Sequence, residues 1–233
     1  MIEINNVTKS YGHNIGNFNL NIKINDGEVY GILGPNGAGK TTLIQQVMGF
    51  IKTDEGEILI DGVNPWKNSR KVMESVGYVA GEISLYENLK GIEYLKLVAK
   101  IKRNVDEDFL NKLIEHFDID TTRKIKKMSK GMKQKIALIS AAMLKPKFLV
   151  LDEPTSGLDP VMQEQFNKLV ERLKKEGTTI LMCSHIFGEV VKLCDRVGFI
   201  KDGRLIKEIA IQSNDILKLE NEFKSLFGGK EIL

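Results

Sequence analysis

The sequence predicts an α/β fold in three parts: a core of apolar strands and helices around a glycine-rich loop, an antiparallel β portion, and an inserted α-helical subdomain. Three observations predict it. "EVYGIL" runs into "GPNGAGKT" and then into the helical "KTTLIQQVMGF", the strand–loop–helix order that such a loop requires. Ahead of it lie the β-rich runs "MIEI" and the alternating "FNLNIKI". From Leu85 to Leu144, "LKGIEYLKLVAK", "DEDFLNKLIEHF" and "KQKIALISAAML" carry apolar residues at i, i+3 and i+4 with polar backs.

The elements follow in order. Asn25 to Gly27, "NDG", has hairpin chemistry between the second and third strands. "EGEILIDG" reads as a strand closed by Asp-Gly, and "VGYVA" as another short strand. After the helical insertion, β/α alternation resumes: strand "FLVLDE", helix "VMQEQFNKLVERLKKEG", strand "TTILMCS", a helix near "FGEVVKLC", and two strands around Asp202-Gly203. The tail, roughly 213–227, predicts an amphipathic helix.

At 233 residues, the chain suits one domain of residues 1–233 with an inserted subdomain and a sizeable core. Its 42% hydrophobic and 28% charged residues are ordinary for a globular protein, and a net charge of +3 is too small to argue for nucleic acid. The two cysteines, Cys183 and Cys194, lie in apolar stretches without metal-ligand spacing, which points to reduced structural thiols. "MIEINNVTKSYG" reads as a strand entering a turn rather than as a leader. The most apolar run, "IALISAAML", falls far short of the ~20 residues that span a bilayer. The expectation is a cytosolic chain whose membrane role is borrowed from a partner.

Two motifs carry the chemistry. Gly34, Pro35, Asn36, Gly37, Ala38, Gly39, Lys40 and Thr41 fit G-x-x-x-x-G-K-[ST], with Thr42 opening the helix beyond. Backbone N–H groups at such glycines close around phosphates, a lysine reaches the β- and γ-phosphates, and a hydroxyl at the last position can ligate Mg²⁺. "FLVLDE" ends a buried strand in two acids, at the strand end where parallel sheets bind ligands. Asp152 is placed to hold Mg²⁺ through water, and Glu153 to orient or deprotonate an attacking water. "MSKGM" sets Ser129 as a helix N-cap and Gly131 in the first turn, a second anion site about ninety residues after the first.

Together, "YG", "GPNGAGKTT", "MSKGM", "LDEPTSGLD" and "SH" follow the order and spacing of the ATP-binding cassette (ABC) ATPases, over essentially the whole chain. The sequence resembles the nucleotide-binding subunit of a bacterial ABC transporter, most like the separate-subunit cassettes of multidrug, antibiotic-resistance or sodium export. The resemblance implies a P-loop NTPase core and ATP hydrolysis with ATP and Mg²⁺. It also implies a homodimer, or a pseudo-dimer with a second cassette, joined head to tail around two ATP. In that arrangement Ser129 and Gly131 would contact the γ-phosphate held by the partner chain, and Asp159 would line the interface. His185 matches the switch histidine at the γ-phosphate, and Tyr11 the aromatic that stacks on adenine. A separate transmembrane permease would be the partner, holding the cassette peripherally on the inner face of the membrane, with no nucleic acid expected.

The sequence departs from that family in two places. Where a glutamine usually follows the "GYxP" strand, Gly81 stands with Glu82 beside it, so Glu82 is a candidate substitute near Mg²⁺. Lys130 and Met132 replace the commonest glycine and glutamine of the signature. The basic run "RKIKKMSKGMKQK" lacks the interleaved aromatics of a single-strand nucleic-acid binder and reads as solvated surface. The alternative is a non-transport ABC-type ATPase of DNA repair or translation. Such proteins use a long coiled-coil insertion or two cassettes in one chain, and neither is in this sequence. A small-molecule kinase would predict an acceptor substrate and little hydrolysis without it.

Overall fold

The computed structural model describes residues 1–102, 105–211 and 216–227. The chain begins with β1 (Ile2–Ser10), β2 (Gly16–Ile24) and β3 (Val29–Leu33), then α1 (Lys40–Val47) and β4 (Glu55–Ile60). Next come α2 (Ser69–Ser75), β5 (Val76–Val79), α3 (Gly91–Lys102), α4 (Glu107–His116) and α5 (Lys130–Ala142). β6 (Phe148–Asp152), α6 (Pro160–Lys175), β7 (Thr179–Ser184), α7 (Phe187–Leu193), β8 (Arg196–Lys201), β9 (Arg204–Ala210) and α8 (Ile216–Phe227) complete the described order.

Two sheets divide the strands. One is three-stranded, in order β2-β1-β4, with both pairings antiparallel. The other has six strands in the order β5-β6-β7-β3-β8-β9, and only β9 is antiparallel to its neighbour. Burial explains the difference in sequence character. β3, β6 and β7 are buried at every position and read as continuous apolar runs, whereas β2 alternates because one face meets solvent.

The six-stranded sheet has a hydrophobic cluster on each face. One joins it to α1 and the three-stranded sheet through Leu43, Ile44, Ile32, Ile4 and Leu20. The other joins it to the helices between β5 and β6, and to α6 and α7, through Leu95, Leu113, Ile136, Phe166 and Val190. α7 lies directly on β3: a Cβ added at Gly31 would stand 2.7 Å from Val190 Cγ1 and from Cys194 Sγ.

The expected elements are present with three differences. Asn25-Asp26-Gly27 is a turn but not a hairpin, because β2 and β3 belong to different sheets. Residues 85–90 lead into the helical run rather than opening it, since α3 starts at Gly91. α2 has no counterpart among the expected elements, for it buries only Val72 and so carries little helical pattern. Asp202 and Gly203 form the β8–β9 turn with φ of 49° and 71°, the left-handed pair that two-residue hairpins use. The tail helix is α8, and the expected residues 213–215 lie outside the described residues. No helix among the described residues is long and apolar enough to cross a membrane.

Candidate active site

Three adjacent strands of the parallel sheet end at one place. β3 hands over to Gly34, β6 ends in Asp152, and β7 ends in Ser184 with His185 following. The glycine-rich loop crosses this edge and turns into α1 at Gly39, whose φ of 102° is open to glycine but costly for other residues. The cavity here, about 740 Å³, is lined by Tyr11, Asn36, Gly37, Gly39, Lys40, Thr41, Thr42, Glu82, Asp152, Glu153 and His185. Residues as far apart in sequence as Tyr11 and His185 are thereby brought to one wall.

Not all of the loop faces the cavity. Gly34 and Ala38 are buried beneath it, and a Cβ at Gly34 would lie 2.3 Å from the Ile200 carbonyl oxygen. Gly34 and Pro35 contribute their carbonyl oxygens, which accept from Lys40 Nζ at 2.8 and 3.2 Å. The same ammonium lies 3.5 Å from Glu153 Oε1, and it is only 6% exposed. A buried cation so placed gives the site a fixed positive charge at the loop mouth.

The acidic pair divides its work by environment. Asp152 is 2% exposed, and its Oδ1 is buried without a hydrogen-bond partner. Burial holds its carboxyl above the ordinary range, reinforced by Glu153 and opposed by the Thr41 hydroxyl and Lys40. Glu153 sits at the cavity wall with a left-handed φ of 47°, unusual for a residue with a side chain. Its N–H donates to the Cys183 carbonyl of β7 at 2.9 Å, which holds that conformation. Its other carboxylate oxygen, Oε2, is hydrogen-bonded to His185 Nδ1 at 2.6 Å. One carboxylate thus joins the loop lysine to the histidine across three strand ends.

Comparison with known proteins gives the family. The family model for ABC transporters matches residues 18–156. The chain belongs to the ABC transporter family. It is an ATP-binding, ATP-hydrolysing cassette that energises transport. It is 38% identical to the bacitracin transport ATP-binding protein BcrA of Bacillus licheniformis, over 95% of this chain and 72% of that one. It is 37% identical to the lantibiotic transport ATP-binding protein SrtF of Streptococcus pyogenes, over 89% and 90% respectively. A solved ATP-binding subunit of an ABC transporter superposes with a TM-score of 0.85 at 25% identity, covering 98% of this chain and 93% of that one. A dimeric bacterial ABC transporter cassette superposes at 0.83 and 25%, covering 91% and 100%.

Besides Gly34, Pro35 and Ala38 of the loop, three expected residues lie outside this cavity. Ser129 caps α5, its Oγ accepting from Met132 N at 3.2 Å. Gly131 lies against α6, where an added Cβ would stand 3.3 Å from the Met162 side chain. Asp159 caps α6 by accepting from Met162 N at 2.9 Å. The cassette ties α5 to its acidic loop nonetheless, because Gln134 Nε2 donates to the Pro154 carbonyl at 2.6 Å in buried surroundings. Glu82 also lines a smaller cavity with Lys130 and Lys133. Sequence reasoning missed Ile15, Gly16, Gln45, Tyr78 and Ser156 in the main cavity. Tyr78 carried a signal in "VGYVA", and burial with Asp152 nearby pushes its phenol up to about 12.

Proposed function

We propose that this cassette hydrolyses Mg-ATP at sites completed by a second cassette, and that the cycle drives export through a separate membrane permease. The carrying observation is Glu153, held between Lys40 and His185 at the mouth of the phosphate loop. In this reading the loop N–H groups and Lys40 stabilise charge on the phosphates. Tyr11, half exposed on the wall, offers its ring to adenine. Glu153 takes a proton from water as the water oxygen bonds the γ-phosphorus and the bond to ADP breaks. His185 orients Glu153 and faces the γ-phosphate.

The unpartnered buried Oδ1 of Asp152 and the facing Thr41 hydroxyl form a hard-oxygen donor set that fits Mg²⁺. Those two would hold the ion, with Glu82 a further candidate on the same wall. When bound, Mg²⁺ supplies charge neutralisation on the β- and γ-phosphates.

The whole chain then acts as one ATP-binding domain with residues 85–144 as its helical subdomain. Ser129, Gly131 and Asp159, away from the chain's own cavity, are free to face the nucleotide of a second copy. Export as the direction is supported by the bacitracin and lantibiotic transport named for the relatives, and in this reading the cassette works at the inner membrane face, beside the permease. The test is mass by light scattering of Glu153→Gln with and without Mg-ATP. An ATP-dependent shift from monomer to dimer, abolished by Ser129→Arg, is expected. A protein that binds ATP and stays monomeric even with the permease present would overturn the paired site.

A further inference from the structure

Behind the Glu153–His185 contact lies a second carboxylate that the reaction does not use. Glu189 stands in the first turn of α7, and its Oε2 accepts from Ser184 Oγ at 2.7 Å. The same Ser184 oxygen accepts from Ile186 N at 3.0 Å. One hydroxyl therefore spans His185, bonding the residue after it while its own proton is directed to α7. Thr155, two residues past Glu153, lines the same cavity as Glu189. Ser184 and Thr155 are both buried, and α7 itself is seated on β3 at Gly31.

We propose that Glu189 is a positioning residue for hydrolysis, latching the loop that carries His185 to α7 through Ser184. The reading rests on Glu153 and His185 acting as described above. His185 is itself half exposed, 49% at the side chain, and Glu153 holds a left-handed backbone. Neither residue is fixed by packing alone, so the hydrogen bonds behind them set the angle at which they meet. Glu189 Oε1 is buried with no partner. Leaving a carboxylate oxygen so placed costs free energy, and the second oxygen offsets that cost by fixing Ser184. Misplacing a catalytic group by about 1 Å costs up to ~10²-fold in rate, so the latch acts on turnover rather than on ATP affinity.

The experiment is steady-state ATP hydrolysis and equilibrium ATP binding by the full chain, with its melting temperature as a check on folding. Glu189→Ala is expected to lower kcat roughly ten- to a hundredfold with ATP affinity nearly unchanged. Glu189→Gln is expected to recover part of it, since an amide oxygen still accepts from Ser184. Because Glu189 acts through the pair, adding Glu189→Ala to His185→Ala is expected to cost no more than about twofold further. Should Glu189→Ala fail to fold, Ser184→Ala removes the same bond and is expected to show the same split. Full turnover in the folded Glu189→Ala or Ser184→Ala variant would overturn the latch, as would a loss that multiplies independently with His185→Ala. If Glu153→Gln and His185→Ala themselves hydrolyse ATP at the native rate, the reading of the site fails instead.

Discussion

Asp152 and Asp54 show how the same side chain is tuned in opposite directions. Asp152 is buried with an orphan oxygen and a carboxyl held above the ordinary range. Ionised, it costs stability that function demands. Asp152→Asn is expected to raise stability by on the order of 1 kcal/mol, measured by denaturant unfolding in EDTA, while ATP hydrolysis falls by more than tenfold. Asp54 accepts from Lys9 Nζ and Ser10 N, both at 2.8 Å, and these bonds hold its carboxyl below the ordinary range. Its contribution is therefore present above the ordinary carboxyl range and lost as pH falls through the lowered folded value. The pair is exposed, so the loss is at most about 0.5 kcal/mol and shrinks with salt. A stability difference between native and Asp54→Asn that is present at neutral pH and closes on acidification is the expected result. At this scale the glycine-rich loop and the two acids Asp152 and Glu153 at the strand end were legible, because each is a local pattern. The left-handed φ of Glu153 was not, since a bond to the Cys183 carbonyl on a strand about thirty residues away imposes it.

Among the elements, α5 and α6 each begin at a side chain that caps the helix in this chain and is proposed to face nucleotide in another. Ser129→Ala removes a cap and is expected to cost about 1 kcal/mol of stability. Asp159→Asn, which keeps an accepting oxygen, is expected to cost much less than Asp159→Ala in the same unfolding experiment. If Ser129→Ala leaves stability intact yet prevents ATP-dependent pairing, the cap contributes little and the partner contact dominates. Strong apolar periodicity made α3 to α6 legible in the sequence. α2 was not, having one buried residue, and the turn at Asn25 to Gly27 misled because its chemistry is the same whether the chain doubles back or changes sheet. Glu189 went unread for a related reason. A lone glutamate in "FGEVV" has the look of solvated helix until α7 is seated on β3.

For the whole molecule, the arrangement of the six-stranded sheet decides what can meet. Placing β3 between β7 and β8 puts the phosphate loop beside the ends of β6 and β7, so loops remote in sequence share one rim. The fold class followed from strand and helix patterns, but this strand order did not, because no local signal states which buried strand lies next to which. The same sheet hides the chain's two cysteines. Cys183 and Cys194 are buried, and burial pushes both thiols well above their usual range. The native protein is expected to resist maleimide and to take up two labels on unfolding, read by intact mass. A chemist thus inherits a silent background: one thiol added at an exposed position such as Val161, 70% exposed on α6, would be the sole reactive handle. A dye there could report the approach of a second copy without rebuilding the protein's interior.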